Sequence, residues 1–166
     1  NPALLALVKD LYQAAADNRD FIQARCQAGE RGGEILEKYR GKIVEQFYPA
    51  RGEPKLKFGE ARKAIRDYRK ATGNLHGTAE LLMTYVEQGA EFTNDYGDID
   101  ERFYNSVESV LDELAALLHG EAREVYPQLS ERLARVEQIT GDIGWGFHDH
   151  IADVVWQLED ELGDGD

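Results

Sequence analysis

The chain has 166 residues, a formal net charge of −13 and one cysteine, Cys26. Its length suits a single domain of about 100–200 residues, which can bury a core without disulfide staples. The charge disfavours binding to nucleic acid or anionic lipid. A single thiol excludes an intrachain disulfide and fits a reducing compartment, so we expect a cytoplasmic protein. No apolar run approaches the roughly 20 residues of a membrane-spanning helix.

Apolar residues recur every three or four positions in each long segment, the pattern of amphipathic helices. Glycines and prolines separate these segments, and no period-two run is long enough for a strand. The predicted fold is therefore all-α, a single domain of six or seven packed helices in an irregular bundle over residues 1–162, followed by a disordered acidic tail at 163–166. The predicted helices cover residues 3–27, 34–48, 58–72, 78–96, 99–119, 127–140 and 147–162, with a short helical piece before Pro127.

The apolar stripes predict which side of each helix faces the core. The clearest examples are Phe103, Val107, Val110, Leu114 and Leu117 in the fifth helix, and Leu4, Val8, Leu11, Ala15, Ile22 and Cys26 in the first. Trp156 lies opposite its own stripe, so we expect the last helix to be buried on two sides. The acidic residues Glu87, Glu91 and Asp95 lie largely opposite the stripe of their helix and are interpreted as a solvated face.

Two junctions between helices, at residues 92–105 and 141–150, are unusually rich in aromatic rings, carboxylates, glycines and histidines. In the first, Gly97 can end a helix, Asp98 can cap the next one, and Glu101 can close a capping box. Helix capping needs one or two acids, whereas this junction has three. Capping alone is the favoured interpretation of these acids. The density of the two junctions nevertheless makes them the best place to look for a functional site, which requires that they meet in space.

One hypothesis for the junctions is a metal site or an acid–base catalytic centre. Asp98 and Asp100 would act as metal ligands or acid–base groups, with His148 and Asp149 completing the centre. His148 and His150 cannot both bind one ion from a single helix, because positions i and i+2 point about 200° apart. Local capping and hydrogen bonding explain the same residues without a metal or a reaction, and no bound cofactor is predicted.

A second hypothesis is a non-enzymatic interaction or adaptor module for an unidentified protein partner. Aromatic anchors surrounded by polar residues are typical of interaction surfaces. The predicted partner-binding residues are Phe92, Tyr96, Tyr104, Trp145 and Phe147. This function is favoured over an enzyme because the sequence shows no nucleophile motif, no phosphate-binding glycine loop and no paired cysteines.

A third hypothesis rests on the basic helix at residues 58–72. Residues 51–70 hold eight Lys and Arg against three acidic residues, and Arg62, Arg66, Arg69 and Lys70 fall on one arc of the helix. Such an arc can bind phosphates or nucleic acid. Because the remainder of the chain is strongly acidic, pairing with internal carboxylates is the favoured interpretation.

Most of the chain also resembles a known bacterial family. The resemblance is carried by Ala61-Arg-Lys-Ala-Ile-Arg-Asp-Tyr68, Tyr85-Val-Glu-Gln-Gly89, Phe92-Thr-Asn-Asp-Tyr-Gly-Asp-Ile-Asp100, Phe103-Tyr-Asn-Ser106 and Gly144-Trp-Gly-Phe-His-Asp149. These segments are similar to the family known as domain of unknown function 6155. The resemblance implies a helical bacterial protein and assigns no activity, cofactor or mechanism.

Overall fold

The computed structural model describes residues 1–163, which form seven α-helices and one short 3₁₀ turn, with no strand among them. The helices are α1 (Pro2–Ala14), α2 (Ala16–Phe47), α3 (Phe58–Thr72), α4 (Leu75–Tyr96), α5 (Glu101–His119), α6 (Tyr126–Ile139) and α7 (Phe147–Leu162). The predicted all-α bundle of packed helices is confirmed. The 3₁₀ turn, Arg123–Val125, is the predicted short piece before Pro127. Apart from Gly163, the predicted disordered tail lies outside the described residues.

Helix α4 lies at the centre of the bundle and packs against α2, α3, α5 and α6. Residues 81–86 are all buried, which is typical of a helix surrounded by its neighbours. Gly89 permits a close approach of α5, because a Cβ atom there would lie only 2.5 Å from Cγ2 of Val107. None of the helices in the described range is long and apolar enough to span a bilayer.

The predicted stripe of α5 is buried throughout, so its orientation is confirmed. Aromatic rings fill the space between α5, α2 and α4. Phe47, near the end of α2, contacts Tyr85 with ring centroids 5.3 Å apart and Phe103 at 6.3 Å. These edge-on contacts are the geometry that aromatic pairs favour.

The predicted boundaries of the first two helices are wrong. The chain breaks at Ala15, which has an extended backbone, and α2 then continues through the glycines predicted to end a helix. Only Arg31 departs from helical geometry there. Glycine costs a helix about 1 kcal/mol per residue, and the packing of α2 along α3 and α4 offsets this cost.

The break at Ala15 also changes which side of α2 faces inward. Asp20 and Ala24 are buried, whereas Cys26, predicted to be a core residue, is exposed. Asn18 is half-buried and donates its side-chain amide to the carbonyl of Leu11, 3.0 Å away. The predicted continuous stripe from Leu4 to Cys26 is therefore wrong, because two helices with different orientations replace one.

One further prediction about helix faces is wrong and another is wrong in part, because Asp95 is exposed but Glu87 is not. Trp156 is 65% exposed, so α7 is not buried on its second side. Glu87 is half-buried, because Arg132 of α6 donates to its Oε1 atom from Nε at 3.0 Å. The acidic side of α4 therefore faces α6 and orients that helix.

Candidate functional site

The α4–α5 junction and the α6–α7 junction lie side by side. The ring of Tyr104 packs on the ring of Phe147, the first residue of α7, with centroids 4.7 Å apart. Tyr104 also contacts Phe103 at 5.7 Å, and Phe103 contacts Phe92 at 5.6 Å. A continuous run of rings therefore joins the end of α4 to the start of α7. We call the residues Phe92, Tyr96, Tyr104, Trp145 and Phe147 the aromatic corner.

The hydroxyl of Tyr104 organises the backbone of the first junction. It accepts a hydrogen bond from the backbone N–H of Ile99 at 3.1 Å and donates to Oδ1 of Asp98 at 3.3 Å. It also lies 3.0 Å from Oγ1 of Thr93 on α4. Asp98 therefore acts as an acceptor within the junction.

Asp100, not the predicted Asp98, caps α5. Its Oδ1 atom accepts the backbone N–H of Phe103 at 2.8 Å, and the helix begins at Glu101. The prediction fails because the Tyr104 hydroxyl already engages Asp98 and Ile99, which keeps both residues out of the helix. Asp98 and Asp100, proposed as metal ligands or acid–base groups, thus form hydrogen bonds within the junction that involve no ligand.

The histidine of the predicted centre is also engaged locally. Nδ1 of His148 lies 3.3 Å from Oγ1 of Thr140, at the end of α6. Asp149 is exposed in the first turn of α7. Within residues 1–163, no group of three or more His, Cys, Asp and Glu side chains is arranged to hold a metal ion. The geometry therefore adds no support to the metal hypothesis for Asp98, Asp100 and His148.

The five predicted partner-binding residues separate into two groups. Phe92, Tyr104 and Phe147 are buried, so the prediction that they form a contact surface is wrong. Their rings fill the gap between the two junctions, which removes them from solvent. Tyr96 is 60% exposed and Trp145 is 77% exposed, so these two rings are available to a partner.

Trp145 has an unusual backbone. Its φ angle is +61°, in the left-handed region that bulky side chains rarely adopt, and Gly146 follows with φ of +74°. A residue other than glycine in this conformation costs on the order of 1–3 kcal/mol. Burial of Phe147 fixes the chain immediately afterwards. The junction therefore holds a large ring in solvent through strained backbone.

The basic arc of α3 is partly neutralised by acids from other helices. Arg62 lies 3.3 Å from Glu113 of α5, and Arg69 lies 4.0 Å from Glu121. Arg66 and Lys70 form no ion pair with another residue in the range 1–163. The predicted internal pairing therefore accounts for two of the four proposed phosphate-binding residues. Glu113 also lines the small cavity beside Arg62 and Arg66, where its charge disfavours an anion.

The structure adds a polar contact between α5 and α7 that the sequence did not predict. Nε2 of His150 lies 2.7 Å from Oδ1 of Asp112 on α5. Glu108 lies one turn earlier on α5. Burial raises the pKa of its carboxyl group, His150 lowers this pKa, and the negative charge of Asp112 raises it. The only sequence signal is the i,i+4 spacing of the two carboxylates on α5, which does not identify a partner on α7.

A second missed group joins α2 to α3. Lys42 lies 2.9 Å from Asp17 and 2.7 Å from Asp20, while Lys63 contacts Asp17 at 3.2 Å and Asp67 at 2.6 Å. Hydrogen bonds from Lys42 and Lys63 lower the pKa of Asp17. Burial opposes ionisation of Asp20, but hydrogen bonds from Lys38 and Lys42 outweigh it and lower its pKa. The lysines and aspartates balance one another, so the group is interpreted as a structural network.

Comparison with protein-family models, with curated proteins and with solved structures finds no match in any of the three. The resemblance to the domain of unknown function 6155 therefore stays a prediction.

Proposed function

We propose that this chain is a non-enzymatic helical interaction module that binds a protein partner through the exposed rings of the aromatic corner. The observation that carries this proposal is Trp145, held in solvent on left-handed backbone. Burying the indole would stabilise the chain by its apolar area, yet the junction keeps it exposed. Strain of this kind is characteristic of functional positions.

The surroundings of Trp145 suit a contact residue. Tryptophan and tyrosine are enriched among the residues that dominate binding energy at interfaces. Tyr96 packs on Phe92 with ring centroids 4.5 Å apart, so its ring is oriented before any partner arrives. Tyr96 begins a run of packed rings that ends at Phe147, and Trp145 precedes Phe147 by two residues. Rigid anchors reduce the ordering cost of association.

The alternatives receive less support. For an enzyme, Asp98 and Asp100 would need to face a substrate, whereas they hold Tyr104 and the start of α5. For phosphate binding, Arg62 and Arg69 would need to leave their acidic partners. A cytoplasmic location belongs to the same proposal, because an exposed free thiol at Cys26 suits a reducing compartment.

The test begins with site-specific photo-crosslinking. A photoreactive phenylalanine derivative replaces Trp145 in cells that express the chain, and an identical replacement at Trp156 serves as the matched control. Both tryptophans are largely exposed. We expect a crosslinked protein that is specific to position 145. Absence of any adduct above the control would count against the proposed function.

The identified partner is then purified and titrated with variants. Trp145→Ala is expected to weaken its affinity about tenfold or more, in the range for a dominant interface tryptophan. Trp156→Ala should bind as the native chain does. Both variants should keep the native thermal midpoint, because neither ring is buried. Equal binding by Trp145→Ala and the native chain would contradict the proposal.

A further inference from the structure

Helix α1 is the element least integrated into the bundle. None of its residues is buried, and Leu4, Leu5, Leu7, Val8 and Leu11 are between 38% and 59% exposed. Its polar links to α2 are confined to its last turn, where Gln23 donates to the Tyr12 hydroxyl at 3.0 Å. A contiguous apolar face of this kind marks an interaction surface.

The free face of α1 has the geometry of a short helix–helix seam. At 100° per residue, Leu4, Leu7 and Leu11 fall within an arc of about 60°. Their spacing of three and then four residues is the a–d–a pattern through which two helices interdigitate. Val8 and Tyr12 fall beside this arc, and Tyr12 is the side chain bonded to α2. The side chains of Leu4, Leu7 and Leu11 stay 45% to 59% exposed.

We propose that two copies of this chain associate through α1, with the seam of Leu4, Leu7 and Leu11 packed against its own copy. A seam of identical leucines is self-complementary, as a two-fold contact requires. The charge distribution also favours α1 as the surface through which two copies associate. Each copy carries −13, whereas α1 carries one lysine and one aspartate, so contact at α1 brings the least charge together.

The same observations disfavour a lipid surface as the occupant. Helices that lie on anionic membranes carry many Lys and Arg on their polar face, and α1 carries only Lys9.

The size of the seam sets the strength of the dimer. A helix of 13 residues is about 20 Å long, which offers less than the roughly 800 Å² per partner of a standard interface. We therefore expect a reversible dimer with a micromolar dissociation constant.

Sedimentation velocity of the native chain, over micromolar to near-millimolar concentrations, tests this inference. We expect a monomer–dimer equilibrium that shifts toward dimer as salt rises, because salt screens the repulsion between two acidic chains. A native chain that stays monomeric at the highest concentration in high salt would overturn the inference.

Substitutions on the two sides of α1 test the seam. Leu7→Glu should weaken dimerisation about tenfold or more, because each dimer loses two buried leucines. Gln13→Glu adds the same charge on the opposite side and should dimerise like the native chain. Leu7→Ala keeps α1 helical and should also weaken the dimer. Circular dichroism confirms folding, and persistence of the dimer in both Leu7 variants refutes the seam.

Crosslinking distinguishes the proposed seam from other contacts. In a Cys26→Ser background, Leu7→Cys should oxidise to a covalent dimer and Gln13→Cys should not. If Trp145→Ala abolishes the dimer and Leu7→Glu keeps it, self-association occurs through the aromatic corner. That result would overturn the role of α1. Cosedimentation of a solution monomer with phosphatidylcholine vesicles would identify lipid as the occupant and equally overturn it.

Discussion

At the scale of single residues, Tyr104 shows how one side chain can define a junction. Its ring connects α5 to α7 through Phe147, and its hydroxyl connects Thr93, Asp98 and the backbone of Ile99. An unpaired buried donor or acceptor costs more than a hydrogen bond gains. The hydroxyl is therefore expected to matter for stability even though the ring does most of the packing.

Tyr104→Phe keeps the ring and removes the hydroxyl. We expect it to lower the free energy of unfolding by about 1–3 kcal/mol, because the Ile99 N–H and the Asp98 carboxylate lose their partner. Urea denaturation measures the change. Tyr96→Phe is the control and should stay within about 0.5 kcal/mol, since that residue is largely exposed. A neutral Tyr104→Phe would show that water replaces the hydroxyl.

At the scale of elements, the contact between α4 and α5 depends on the absence of a side chain at Gly89. The helices approach until Val107 occupies the space of a Cβ atom. Glycine is otherwise unfavourable inside a helix. Replacing Gly89 by alanine therefore distinguishes packing from helix propensity, because the two effects change stability in opposite directions.

Gly89→Ala is expected to destabilise the chain by about 1–3 kcal/mol through overpacking against Val107. Gly41→Ala is the matched control, because nothing lies within 4 Å of the added methyl group there, and it should stabilise by about 0.5–1 kcal/mol. In chemical denaturation, Val107→Ala should recover part of the loss in Gly89→Ala. Destabilisation that Val107→Ala does not relieve would contradict a steric cause.

At the scale of the whole molecule, charge distribution determines how stability depends on pH. The excess acid gives the chain its −13, while the network of Asp17, Asp20, Lys38, Lys42, Lys63 and Asp67 joins segments far apart in sequence. Asp20 is the deepest member, with 7% of its side chain exposed. Its ionised state is therefore tied to the folded state.

The lowered pKa values of Asp17 and Asp20 predict a loss of stability in acid. Their ordinary value is 3.8, and the folded values lie below it. The unfolded chain therefore binds protons first as pH falls. The contribution of these two carboxylates is complete above about pH 5 and disappears as pH falls through 3.8 toward their folded pKa values.

Asp20→Asn tests this network. We expect a loss of about 1–3 kcal/mol at neutral pH, because two lysines lose a charged hydrogen-bond partner. The variant should also show a shallower fall in unfolding free energy between pH 5 and pH 2. Asp17→Asn, at a more exposed position, should lose less. A pH profile parallel to that of the native chain would exclude Asp20 as a source of the acid sensitivity.

The local predictions succeeded where a helix has one buried face and clear terminators. The stripe of α5 and the short piece before Pro127 are confirmed, because side-chain periodicity and the missing N–H of proline act within a few residues. The prediction that the two junctions meet in space is also confirmed, because the Tyr104 ring packs on Phe147.

Apolar periodicity was enough to establish an all-α bundle, because the spacing of apolar residues is a local property. The packed structure was needed to show that Phe92, Tyr104 and Phe147 are interior while Trp145 faces solvent, because all four are aromatic residues near a turn. The structure also showed that the chain is extended at Ala15, where α1 ends, and that the leucines of α1 are exposed. Burial depends on which surfaces meet, and that follows from the packing of every helix at once.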